Sequence, residues 1–356
     1  MGVTYLVGRN QSVFLDLFRI LLLLQVIFGH AVALSIPNLS VLLQGGIKEY
    51  IFLVIRAMTC LGRESAFLFI FLSGFFVGGQ LISKGKTFIL AEAVRYRLIR
   101  LFPVMIIALL ITVLADYVGL ILFEFPIYTH NNIVSTALEN FNLKVFIMNV
   151  FALQPTFSPS FGTNGPLWTL GYIIQFNLLA YIFRSFSDDK FIFFVSMMLF
   201  SMLVSVVNLE FALLLIVWVA GAFVYHHDEK ILSHKPSWFI TLLAFVLVSF
   251  AHFSNLIVSI ILIPIVGALV IIVSKRAVQI KSIRILWLIN AFSASSYATY
   301  AIHLPIIFIL GGVLGITIKE HGNLSTWLFL LLTPLLSVII GMFISMVVGI
   351  KLMKGR

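Results

Sequence analysis

Apolar residues run through this chain in long blocks, separated by short clusters rich in Lys, Arg, Asn and Pro. Blocks near 14–36, 66–82, 101–122, 166–184, 190–207, 210–225, 237–252, 256–274, 287–316 and 325–349 recur along the chain. All but the longer 287–316 are close to the roughly 17–25 residues that a helix needs to cross a bilayer. The pattern predicts an all-α fold: a polytopic transmembrane helical bundle of about ten spans, forming one domain over residues 1–356. Residues 47–61 are apolar but interrupted by Arg56, which predicts an interfacial or re-entrant helix.

Composition narrows the class. With 61% hydrophobic residues, 10% charged residues and a mean hydropathy of +1.14, a soluble globular protein is excluded. The net charge of +10 does not point to nucleic acid, because the basic residues sit in short segments between apolar blocks, as topology signals do. With the N-terminus inside, eighteen Lys and Arg fall on the cytoplasmic side and five on the other, which predicts that both termini are cytoplasmic. The long connection 123–165, with Pro126, Pro155, Pro159 and the turn-rich SPSFGTNGP, then lies outside. Asp16 and Arg19 interrupt the first block where a cleavable leader has a clean apolar stretch, so that block reads as a retained signal anchor. A lone Cys60 excludes an internal disulfide, and His226, His227, Asp228 and His234 lack the spacing of helical metal ligands, so no metal site is expected.

Polar residues inside the blocks carry the candidate chemistry. Arg19 and His30 are 11 residues apart, almost three helical turns, so they share a face and are separated by roughly 16 Å along the axis. They read either as a snorkelling cation and a bonded core imidazole, or as one side of an internal polar path. His303, two residues before Pro305, is a second histidine within a block, and Tyr297 and Tyr300 neighbour each other at i and i+3. Arg97 and Arg100 also stand at i and i+3, with Arg95 nearby. Pro103 fits the first turns of a helix starting there, and guanidinium forks suit phosphate oxygens. Gly165-Pro166 should open a helix, with Trp168 at the outer interface and Gln175 deeper on the same face, able to bond a sugar or another helix. Gly74, Gly78 and Gly79 form a small face for close helix packing, and Gly311 with Gly315 forms a GxxxG of the same kind.

In joint order these residues resemble the membrane-bound acyltransferase 3 family. The similar features are Arg19 and His30 with ten residues between them, Ser73-Gly74-Phe75 after a Phe-rich run, and Arg97-x-x-Arg100 with Pro103. Further along come Pro166-Leu-Trp-Thr-Leu170, and Ser296-Tyr297-x-x-Tyr300 followed by His303-x-Pro305. Together they span most of the chain. One departure is Ile173, which stands where the family commonly has a Glu after the Trp; Asp116, Glu64, Glu124 and Gln175 are candidates to replace it.

The resemblance implies O-acyl transfer, usually acetyl transfer, from cytoplasmic acetyl-CoA to a hydroxyl of a surface polysaccharide or a lipid-linked saccharide. It implies a multi-pass protein of the bacterial cytoplasmic (inner) membrane. In this reading His30 is the base or transient acyl carrier and Arg19 holds the donor. Arg95, Arg97 and Arg100 bind coenzyme A phosphates, and Trp168, Gln175, Tyr297, Tyr300 and His303 line the acceptor site. The alternative is a transporter or flippase of a glycan intermediate, or a catalytically altered relative, either of which also fits a polar internal path with basic mouths.

Overall fold

The computed structural model describes residues 8–37, 39–43, 47–84, 89–129, 133–227, 238–277, 279–318 and 321–349. Among the described residues the chain is helical and has no strand. The long helices are α1 (Arg9–Ser35), α2 (Ile47–Met58), α3 (Gly62–Ser73, continued by the π segment Gly74–Gly78 and by Gly79–Lys84) and α4 (Leu90–Leu122, with its last turns as a π segment). They are followed by α5 (Leu167–Phe186), α6 (Lys190–Ser205), α7 (Leu209–His227) and α8 (Trp238–Phe253). The last three are α9 (Leu256–Ser274), α10 (Ile283–Val313) and α11 (Leu324–Val347).

Every expected apolar block is helical, but the blocks are not equivalent. Among the described residues seven stretches are long and apolar enough to cross a membrane: α1, the run Glu49–Ser83, α4, α7, α9, α10 and α11. α6 and α8 have 16 residues each, about 24 Å of helix, which falls short of a hydrocarbon core of roughly 30 Å. α5 is long enough, but Asn177, Gln175 and Arg184 dilute its apolarity. Seven apolar helices among the described residues therefore meet both requirements, and the protein is a multi-pass membrane protein.

α1, α3, α4, α10 and α11 form the half of the bundle that matters here. α10 packs against α11, α1 and α4, while α1 also touches α3 and α11. The other half centres on α7, wedged between α3, α6 and α9. Glycine sets that wedge. A Cβ at Gly74 would stand 1.8 Å from the Trp218 carbonyl oxygen, and one at Gly221 would stand 2.1 Å from that of Phe71, so the two backbones touch. Trp218 Nε1 donates to Asn177 Oδ1 at 3.2 Å, as does Ser73 Oγ at the same distance, which brings α5 into the contact.

Two local expectations change. Gly311 packs closely, since a Cβ there would lie 2.2 Å from Ile127. Gly315, by contrast, has φ +63° and open space around it, and the Ile316 amide reaches back to the Gly311 carbonyl at 2.8 Å. It ends α10 in a left-handed turn and packs no helix. Residues 47–61 form α2 and then a break at Cys60 that leads into α3. Arg56 turns inward there to donate to the Ile36 carbonyl at 3.0 Å, satisfying the end of α1.

Candidate active site

α1 and α10 hold the polar residues against each other. On α1, Asp16 and Arg19 are one turn apart and pair at 3.7 Å. On α10, Ser293 and Ser296 are also one turn apart. Ser293 Oγ donates to Asp16 Oδ1 at 2.6 Å, and the Arg19 guanidinium reaches Ser293 Oγ at 3.5 Å and Ser296 Oγ at 3.3 Å. Asp16 is buried, whereas the Arg19 side chain keeps 31% of its surface open. A partly open guanidinium backed by its own carboxylate can meet a further anionic or carbonyl group.

Further along the same face, the rings of His30 and His303 lie 5.3 Å apart, tilted by 36°. Arg19 meets Ser293 and Ser296 while His30 meets His303, so residue numbers rise together and the two helices run parallel. His303 is fully buried, and its Nδ1 lies 2.6 Å from the Tyr300 carbonyl oxygen. A carbonyl only accepts, so Nδ1 carries the proton and Nε2 keeps its lone pair. Among the described residues that Nε2 is buried without a partner, as is the Tyr297 hydroxyl. Tyr300 donates its hydroxyl to Thr169 Oγ1 at 3.1 Å and its ring meets Phe69, joining α10 to α5 and α3. His30 is half-buried, and its ring makes no hydrogen bond among the described residues.

A family comparison decides what this arrangement belongs to. The model for acyltransferase family 3, described as an acyltransferase domain, matches residues 12–352, nearly the whole chain. The chain is a member of acyltransferase family 3. No curated protein and no solved structure matches it.

For this family 3 acyltransferase, the expected residues separate into three groups. Arg19, His30, Tyr300 and His303 come together on the α1–α10 seam, and Tyr297 lies one turn before Tyr300 on α10. Trp168 opens α5 beside them in sequence with Thr169, half-buried, its ring edge-on to Phe67 at 6.1 Å and to Tyr172 at 5.9 Å. Gln175 is engaged elsewhere. Its Oε1 accepts from Thr156 at 2.6 Å and its Nε2 donates to the Ala152 and Gln154 carbonyls at 2.7 and 3.1 Å. Its amide anchors the loop 151–166.

The arginine cluster lies on α4. That helix starts at Leu90, so Pro103 is in its interior, and the expected gain from a helix N-terminus does not apply. The shared face of positions 97 and 100 remains. Arg95 is exposed and Arg100 half-buried; the Arg97 side chain, like Asp228 and His234, lies outside the described residues.

Of the residues weighed as replacements for the Glu at Ile173, Glu64 is fully buried, held by Arg63 at 2.7 Å and by His252 Nδ1 at 3.2 Å. Asp116 accepts from the Thr163 amide and hydroxyl at 2.8 and 2.6 Å. Sequence reading gave no partner to Asp16 and no role to Ser293. The i, i+3 spacing of Asp16 with Arg19, matched by that of Ser293 with Ser296, is the signal in the chain that could have found them.

Proposed function

We propose that this family 3 member is an integral membrane O-acyltransferase, with acetyl-CoA as donor and a hydroxyl of a cell-surface polysaccharide or lipid-linked saccharide as acceptor. The observation that carries the reading is the half-buried His30 ring beside His303, with Arg19 further down the same seam. Acyl transfer needs a base at the acceptor hydroxyl and a cation for the donor, and this face supplies both.

His30 takes the acceptor proton as the hydroxyl oxygen attacks the thioester carbonyl. The carbon–sulfur bond breaks, an ester forms, and the proton leaves with the coenzyme A thiol. Arg19 holds the donor in reach, and the Tyr297 hydroxyl and His303 Nε2 on α10 are buried polar groups that an acceptor would satisfy. Arg95, Arg97 and Arg100 take the coenzyme A phosphates. Trp168 is a stacking surface for a sugar ring. The direct route is preferred to an acyl-histidine relay because it needs fewer steps. In this reading both termini are cytoplasmic, the less apolar α5 and the shorter α6 and α8 complete ten crossings, and the protein resides in the bacterial inner membrane.

Two measurements test this: transfer of labelled acetyl groups by the purified protein, and mass spectrometry of surface glycans from cells with and without it. Loss of a defined O-acetyl mass on removal is the expected result. Glycans of unchanged mass, together with no acetyl-CoA turnover, overturn the proposal.

A further inference from the structure

Pro305 sits inside α10, two residues past His303. A helix interior bonds each carbonyl to the amide four residues on, so the Ala301 carbonyl should accept from residue 305, and proline has no N–H to give. In a membrane interior such a freed carbonyl needs another donor. Asn164, fully buried in the loop 151–166, supplies it: its Nδ2 donates to the Ala301 carbonyl at 2.9 Å. The second N–H goes to Thr112 Oγ1 at 3.0 Å, and Thr112 passes its own hydrogen to the Ala108 carbonyl at 2.8 Å. Turning the amide over would set Oδ1 against the Ala301 carbonyl, two acceptors face to face, so the network fixes its orientation.

The turn that carries Asn164 is itself pinned. Thr163 donates twice to Asp116, from the amide at 2.8 Å and the hydroxyl at 2.6 Å. Gly162 has φ +55°, and a Cβ there would stand 2.1 Å from Asp116 Oδ2. Both the left-handed backbone and the carboxylate therefore require glycine at 162. On α10 the neighbouring carbonyl, Tyr300, is taken by His303 Nδ1. Two successive carbonyls of one turn are thus served by side chains, His303 for one and Asn164 for the other.

We infer that Asn164 is a positioning residue: it stands in for the backbone donor that Pro305 removes, and so sets the turn of α10 from which Tyr300 and His303 project. The functional consequence rests on the proposed reading of the α1–α10 seam as the reaction centre. The hydrogen-bond substitution does not.

A double-mutant cycle separates the two. Asn164→Ala, Pro305→Ala and the double variant are purified in detergent, and the thermal midpoint, kcat and the KM for acetyl-CoA are measured. Pro305→Ala restores the missing N–H, so Asn164 becomes redundant in that background. The expected result is that Asn164→Ala lowers the midpoint by about 2–5 °C and kcat roughly ten- to hundredfold with little change in KM. In the Pro305→Ala background both losses should largely vanish. If Asn164→Ala alone does not fold, recovery of folded protein in the double variant is the supporting outcome. Additive losses, or a double variant that also fails to fold, overturn the substitution. A midpoint that couples while kcat does not overturns the positioning role. Wild-type protein without acetyl transfer overturns the functional reading, and the midpoint still decides the substitution.

Discussion

His30 and His303 are 273 residues apart in sequence, and their ring centroids stand 5.3 Å from each other. His30 is half-buried, and His303 is fully buried with an unpartnered ring nitrogen among the described residues. The pairing predicts unequal roles. His30→Ala should lower acetyl transfer about 10²–10⁴-fold, as expected for loss of a general base, with fold and donor affinity kept. His303→Ala should cost less. Incubating the protein with labelled acetyl-CoA and no acceptor tests the relay: label on His30 would establish it. A His30→Ala protein that transfers at the wild-type rate would make α1 a structural helix.

Donor binding should depend on α4. Because positions 97 and 100 share a face, Arg97→Ala with Arg100→Ala is expected to weaken acetyl-CoA binding in calorimetry. Lys at either position should restore it in part, since an ammonium lacks the two-pronged fork. An unchanged dissociation constant in the double variant counts against this site.

Topology is open to chemical labelling. In a Cys60→Ala background, a cysteine introduced at Asn131 should react with an impermeant maleimide from outside, and one at Lys354 from inside. The opposite pattern would reverse the orientation and remove the donor-side reasoning with it.

The α3–α7 contact predicts a contrast between two glycines. A methyl group at Gly74 would meet the Trp218 carbonyl at 1.8 Å, whereas one at Gly62 would have nothing within 4 Å. Gly74→Ala should therefore destabilise the detergent-solubilised protein by about 1–3 kcal/mol or prevent folding. Gly62→Ala should be neutral or stabilising by up to about 1 kcal/mol. Similar unfolding midpoints for the two variants would mean that the helices can part at no cost.

Much of this was legible in the chain because hydropathy fixes where helices run and a 3.6-residue period fixes which residues share a face. Arg19 and His30 were placed on one side of α1 in that way. Their partners on α10 were visible as polar residues, but nothing local to α1 says which distant helix it meets. Pro103 was misplaced because the alternation of Arg with apolar residues over 90–100 looks like a connection, although straight-chain and arginine residues continue a helix readily. Gly315 matched a packing motif by spacing alone, while its φ depends on where α10 stops. Gln175 and Asn164 were hardest to read. Their roles depend on which backbone carbonyls the loop 151–166 presents to them.

The Asp16–Arg19 pair has a consequence in time. Ser293, which completes its bonding, lies 274 residues after Arg19. At about 5–20 residues per second of synthesis, α1 precedes that partner by roughly 14–55 s. Through that interval the ribosome has not yet made the surface α1 will rest on, and Asp16 is the counter-charge α1 brings with it. Helix 1 can thus enter the bilayer electrically balanced and wait there, its polar stripe already paired, until α10 arrives to dock.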